Sequence, residues 1–147
     1  MKNTEMLYTI ISGVVVYVIC ELFVEFILRP IQEYKRLRGK VAYFLVQYAC
    51  YYLNPQSIVE LRNSPGWKDA GDETRKLSSE VAACAEIKPH AIFVWYSIPR
   101  KKSLQVVSKS LMGLSNSYFA ADGCKSECQR GTLKFVETIK RVMKIAV

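Results

Sequence analysis

The sequence has little of what active sites are commonly built from. It contains one histidine, His90, and seven glycines scattered through 147 residues. No Gly-rich phosphate loop, G-x-S-x-G elbow or H-E-x-x-H pair occurs, so the usual nucleotide-hydrolase, serine-hydrolase and zinc-protease constellations are excluded. Cys–His catalysis would have to use His90, and nothing near it in sequence marks a partner. The five cysteines are an odd number with no disulfide framework, which suits reduced thiols. Cys124 and Cys128 lie at i, i+4, but a zinc site needs about four ligands and His90 is far off. These absences point to a non-enzyme with no metal and no cofactor. No alternating strand pattern and no internal repeat is visible, so the fold class expected is all-α.

Acidic residues are also scarce. Thirteen Asp and Glu face twenty-one Lys and Arg, for a formal charge of +8. Apolar residues are plentiful but unevenly spread, and the densest run extends from Met6 to Leu28. As a helix, Leu7 to Leu28 would reach about 33 Å against a hydrocarbon core of about 30 Å. The run is β-branched all round, not apolar on one side, which favours a membrane span over a core helix. It is too long for a signal peptide and ends in the bulky, charged "EFILRPIQEYKRLRGK" without a small-residue cleavage site. Arg29, Lys35, Arg36, Arg38 and Lys40 follow it. Cationic flanks stay on the cytoplasmic side. The expected organisation is an outer end and transmembrane helix at 1–29, then a cytosolic helical domain at 30–147, in the inner (cytoplasmic) membrane with the N-terminus out.

Beyond Pro30, Tyr34, Leu37, Val41, Phe44, Tyr48 and Tyr51 recur at helical spacing, beside a second stripe of Ala42, Leu45, Ala49 and Leu53. One helix over 31–53 is expected, stopped at Asn54-Pro55. Residues 54–71 read as a connection. Asp69 or Asp72 would cap a helix with Leu77, Val81, Cys84 and Ala85 inward. The segment "HAIFVWYSIPRKK" is too short to cross a bilayer and reads as core, or as a stretch resting on the membrane surface. Ser103 would cap a helix carrying Leu104, Val107, Leu111, Leu114 and Tyr118. A last helix from Thr132 would turn Phe135, Ile139, Val142 and Ala146 inward. About four main helices around one core make a small bundle.

Two features bear on function. Glu21 and Glu25 lie one helical turn apart inside the apolar run. Either both sit at the headgroups beside Arg29, or the span self-associates and they face partner helices or a central opening, where a carboxylate ring would favour cations. Ser12 and Gly13 offer a small surface for close helix approach in a homo-oligomer. The other feature is basic. Anionic lipid suffices to explain Arg36, Arg38 and Lys40. Arg100, Lys101 and Lys102 precede a helix start, where cations and free N–H groups suit a phosphate. Arg62, Lys68, Arg75, Lys76 and Lys109 are candidates for the same surface, with Trp67 or Trp95 as a stacking platform for a base. Nothing resembles a helix that reads duplex DNA.

The layout is a short outer end, an N-terminal span, the junction "ELFVEFILRP" and a small domain carrying "IPRKKS". It resembles the membrane effectors of bacterial antiviral systems, especially the cyclic-oligoadenylate-gated, single-span effectors of type III CRISPR systems. That resemblance implies cytosolic binding of a cyclic nucleotide by a symmetric oligomer and membrane disruption on activation. No site residues carry over from it. The alternative expectation is a membrane-tethered adaptor that docks a protein partner through the broad face of helix 31–53.

Overall fold

The computed structural model describes residues 2–53, 65–86, 98–118 and 125–146. Among these residues every regular element is helical and no strand occurs. Helix α1 spans Lys2–Phe23, a π-helical turn covers Val24–Leu28, and α2 spans Arg29–Gln47. The three run on without interruption, giving 44 residues of helix from Thr4 to Gln47, about 66 Å in length.

Pro30 explains the turn in the middle. Proline offers no N–H, and its ring crowds the carbonyl four residues earlier, here that of Phe26. The chain responds by widening one turn instead of breaking. The Arg29 N–H reaches back five residues to the Val24 carbonyl, which is the π pattern. The boundary at residues 29 and 30 thus falls inside a continuous helix.

Tyr48 interrupts the helix expected over 31–53. Its ψ of 17° leaves the helical range, and α3 (Ala49–Leu53) follows in a shifted register. Tyr34, Leu37, Val41, Phe44 and Leu45 are buried as their spacing requires, but beyond the break Tyr52 is buried where Tyr51 was expected. The Tyr52 hydroxyl donates to the Leu45 carbonyl, an acceptor beside the break.

Helix α4 covers Pro65–Glu86, so Asp69 and Asp72 lie within it and cap nothing. Proline suits a first helical position, because its missing N–H would have had no partner there. Trp67, Ala70, Thr74, Leu77, Val81 and Ala85 form its buried stripe, and Cys84 is half-buried. Helix α5 runs Lys101–Tyr118 and buries Leu104, Val107, Leu111 and Leu114. Arg100 accepts the first amides through its carbonyl, so Ser103 lies inside the first turn and is not the cap.

Helix α6 runs Lys125–Met143, starting earlier than Thr132 and turned relative to expectation. Thr132, Val136, Ile139 and Met143 are buried, Phe135 and Val142 are half-buried, and Ala146 is exposed. Phe135 closes on α5 where Gly113 leaves room: a Cβ there would stand 2.7 Å from its ring. The helix ends with Lys144 at φ 53° and the Ile145 N–H bonded to the Lys140 carbonyl, a Schellman motif.

Candidate functional site

The direction of each helix decides which functional side chains meet. Ser78 and Ser108 each donate a hydroxyl hydrogen bond to the other's carbonyl, at 2.9 and 3.0 Å. Ser115 donates to the Gly71 carbonyl at 3.2 Å, and Lys101 pairs with Glu86 at 2.5 Å. Helices α4 and α5 are therefore antiparallel. Lys40 pairs with Glu80 at 2.7 Å, while Tyr51 lies against Gly66 at the other end of α4. So α2–α3 also runs antiparallel to α4, and α5 starts at the end of the bundle from which α1 emerges.

This arrangement divides the expected anion site. Arg100, Lys101, Lys102 and Lys109 are exposed on α5 and just before it, with Lys109 two turns beyond Lys102 on the same side. Lys68 is exposed on the first turn of α4, at the opposite end of the bundle. The separation from Lys101 exceeds the Lys101–Ser115 rise of about 21 Å. Trp67 is only 5% exposed and packs in the core, so it presents no face to a base. Arg62 and Trp95 lie outside the described residues, as does most of "HAIFVWYSIPRKK". Arg100 with Lys102 and Lys109 is what the fold leaves of the expected surface.

The juxtamembrane cations divide as well. Arg38 donates to the Lys144 carbonyl and so caps the end of α6, and Lys40 is held by Glu80. Lys35 and Arg36 are exposed and in no ion pair among the described residues. Glu33, Arg36, Leu37, Lys40, Glu80, Ala83 and Cys84 line an open groove of about 300 Å³ between α2 and α4. Burial pushes the Cys84 thiol above its ordinary 9.0, and Glu33 beside it pushes the same way. A protonated thiol among mixed charges is a poor nucleophile and a poor metal ligand. Among the described residues no cluster of His, Cys, Asp and Glu could hold a metal.

Every residue from Thr4 to Phe26 is exposed, and the long helix is apolar and long enough there to cross a membrane. Its large apolar side chains from Met6 to Phe26 are 40–69% exposed, a contiguous apolar surface that soluble monomers rarely show. Within it, Thr9 and Ser12 return their hydroxyls to the carbonyls of Glu5 and Thr9, at 3.0 and 2.9 Å. Glu25 pairs with Arg29 at 2.6 Å, one turn on. Ser12 and Glu21 are nine residues apart, about half a turn out of phase. The small-residue surface at Ser12 and the carboxylates therefore face different directions, with Gly13 between them.

Sequence reasoning missed Glu86 as the partner of Lys101 and the serine seam between α4 and α5. The seam had a signal: Ser78, Ser108 and Ser115 fall at core spacing within otherwise apolar stripes. No family model matches the chain, and comparison with curated proteins and with solved structures finds no match.

Proposed function

We propose that this protein is a single-span, non-enzymatic membrane effector whose helical domain is held at an anionic cytoplasmic surface, N-terminus outward. One observation carries the reading: a single helix is bare and apolar over its first half and packed into the bundle over its second. Such a helix is energetically at home only where lipid or other spans cover it, and a change in the bundle reaches the span through backbone. Glu25 and Arg29 then mark the boundary of lipid and water, each neutralising the other, while Lys35 and Arg36 supply the inward-facing charge.

In this reading the spans of several copies assemble, and a trigger in the bundle changes their packing. The trigger proposed is an anionic nucleotide, for which the fold leaves Arg100, Lys102 and Lys109 as cations unless the bilayer surface takes them. Binding can shift the assembly only by its difference in affinity for the two states. A second trigger, a docked protein, is favoured by Tyr43, 68% exposed on α2, with Val46 beside it.

The anchoring is tested by extracting membranes from cells expressing the full chain with alkaline carbonate. The chain is expected to stay in the pellet and to leave only with detergent; release by carbonate would defeat the reading. The nucleotide trigger is tested by the melting of the detergent-solubilised chain against cyclic oligonucleotides. A ligand at 100 times its Kd adds about 2.7 kcal/mol, and Arg100→Glu with Lys102→Glu should erase that gain. Unchanged melting across the panel favours the docked protein.

A further inference from the structure

Residues 100–102 stand about seventy positions after the junction at Arg29, yet the fold returns them to its neighbourhood. Cys84 of α4 and Glu33 of α2 line one groove, and Glu86, two residues further toward the α1 end, holds Lys101. Lys101 thus stands at about the level of Glu33, roughly 6 Å along the helix axis from Arg29. The polar layer of a bilayer is about 5–7 Å deep on each side, so this level lies at the headgroups when hydrocarbon ends near Leu28.

The charges there have one sign to spare. Glu25 is taken by Arg29, and Glu86 by Lys101. Lys35, Arg36, Arg100 and Lys102 are exposed and in no ion pair among the described residues, and Glu33 is left to offset them. Among the described residues, no bare apolar helix leaves the opposite end of the bundle, where Lys68 stands.

We propose that Arg100 and Lys102 join Lys35 and Arg36 in a composite surface that binds anionic phospholipid headgroups, seating the bundle flat against the leaflet. The proposal rests on the anchoring reading above. It reassigns "PRKK" from a soluble phosphate to a lipid phosphate, because cations beside a span meet the headgroups first.

The full chain, incorporated in bilayer discs of phosphatidylcholine alone or mixed with phosphatidylglycerol, is treated with a water-soluble amine-acylating reagent, and each lysine is read by mass spectrometry. Lys102 labelling is expected to fall about fivefold in the anionic discs, the partition factor of one cation at such a surface. Lys68, at the far end, should label equally in both. Equal labelling of Lys102 in the two discs would overturn the proposal. So would the same protection of Lys102 by inorganic triphosphate in neutral discs, which would return the cluster to a soluble ligand. If the chain enters neither disc, the anchoring reading fails, and that is seen before any lysine is labelled.

Discussion

Lys144 holds a backbone shape that costs an L-residue about 1–2 kcal/mol. It is kept because the Schellman turn buries Ile145 and because Arg38 binds the Lys144 carbonyl. Lys144→Gly removes the Cβ penalty and leaves both contacts; unfolding in urea should show a gain of about 0.5–1 kcal/mol. Cys84, Tyr34 and Tyr52 act in the opposite sense at high pH. Burial is the first cause of all three upward shifts, from 9.0 for the thiol and 10.0 for the phenols. Each binds its proton more tightly folded than unfolded. Their contribution is therefore complete below about pH 9 and is lost as pH climbs past 9 and through the raised folded values. Melting temperature measured against pH should fall above 9, and Cys84→Ala should delay the start of that fall.

At the scale of elements, the π turn and the serine seam set how helices meet. If Pro30 causes the turn, Pro30→Ala should restore the missing N–H and let Val24–Leu28 return to α-helix. Hydrogen exchange read by mass spectrometry should then slow across those amides; unchanged exchange would mean that the turn has another origin. In the seam, Ser78 and Ser108 are small enough for α4 and α5 to approach closely, and their hydroxyls bond across the contact. Ser78→Leu forces the pair apart and leaves the Ser108 carbonyl without its hydroxyl donor, at a cost of about 1–3 kcal/mol. Gly113→Val should cost a similar amount by driving a methyl into the Phe135 ring. Equilibrium denaturation of each variant measures both.

On the scale of the whole molecule, a bundle and a bare apolar helix share one backbone but depend on different solvents. The bundle is held by its own core, in which Val107, Leu111, Leu114 and Ile139 are fully buried. Leu111→Ala should cost about 2–5 kcal/mol of bundle stability. Retention of the chain in carbonate-washed membranes should not change, because α1 contributes nothing to that core. Loss of retention together with folding would show that the two halves are not independent.

Much of this was legible in the residue pattern. The 3-4 spacing of Leu104, Val107, Leu111 and Leu114 names a buried stripe whatever it packs on, and the apolar run from Met6 to Leu28 is long enough for a span by count alone. Helix starts were less legible. Pro65-Gly66 reads as a break, yet proline is at ease on a first turn and Gly66 is where Tyr51 comes close. Likewise Tyr48 sits on the apolar stripe, so the interruption there has no sign in the hydrophobic spacing.

The sequence by itself determined that the chain is helical, that its N-terminal run suits lipid, and that cations crowd the junction. These follow from local spacing and from counts of charge and apolar length. Only the tertiary structure decided which cations are neighbours. Helix direction is set by contacts between distant residues, here Ser78 with Ser108 and Lys40 with Glu80, and those contacts send Trp67 and Lys68 to one end and Arg100–Lys102 to the other.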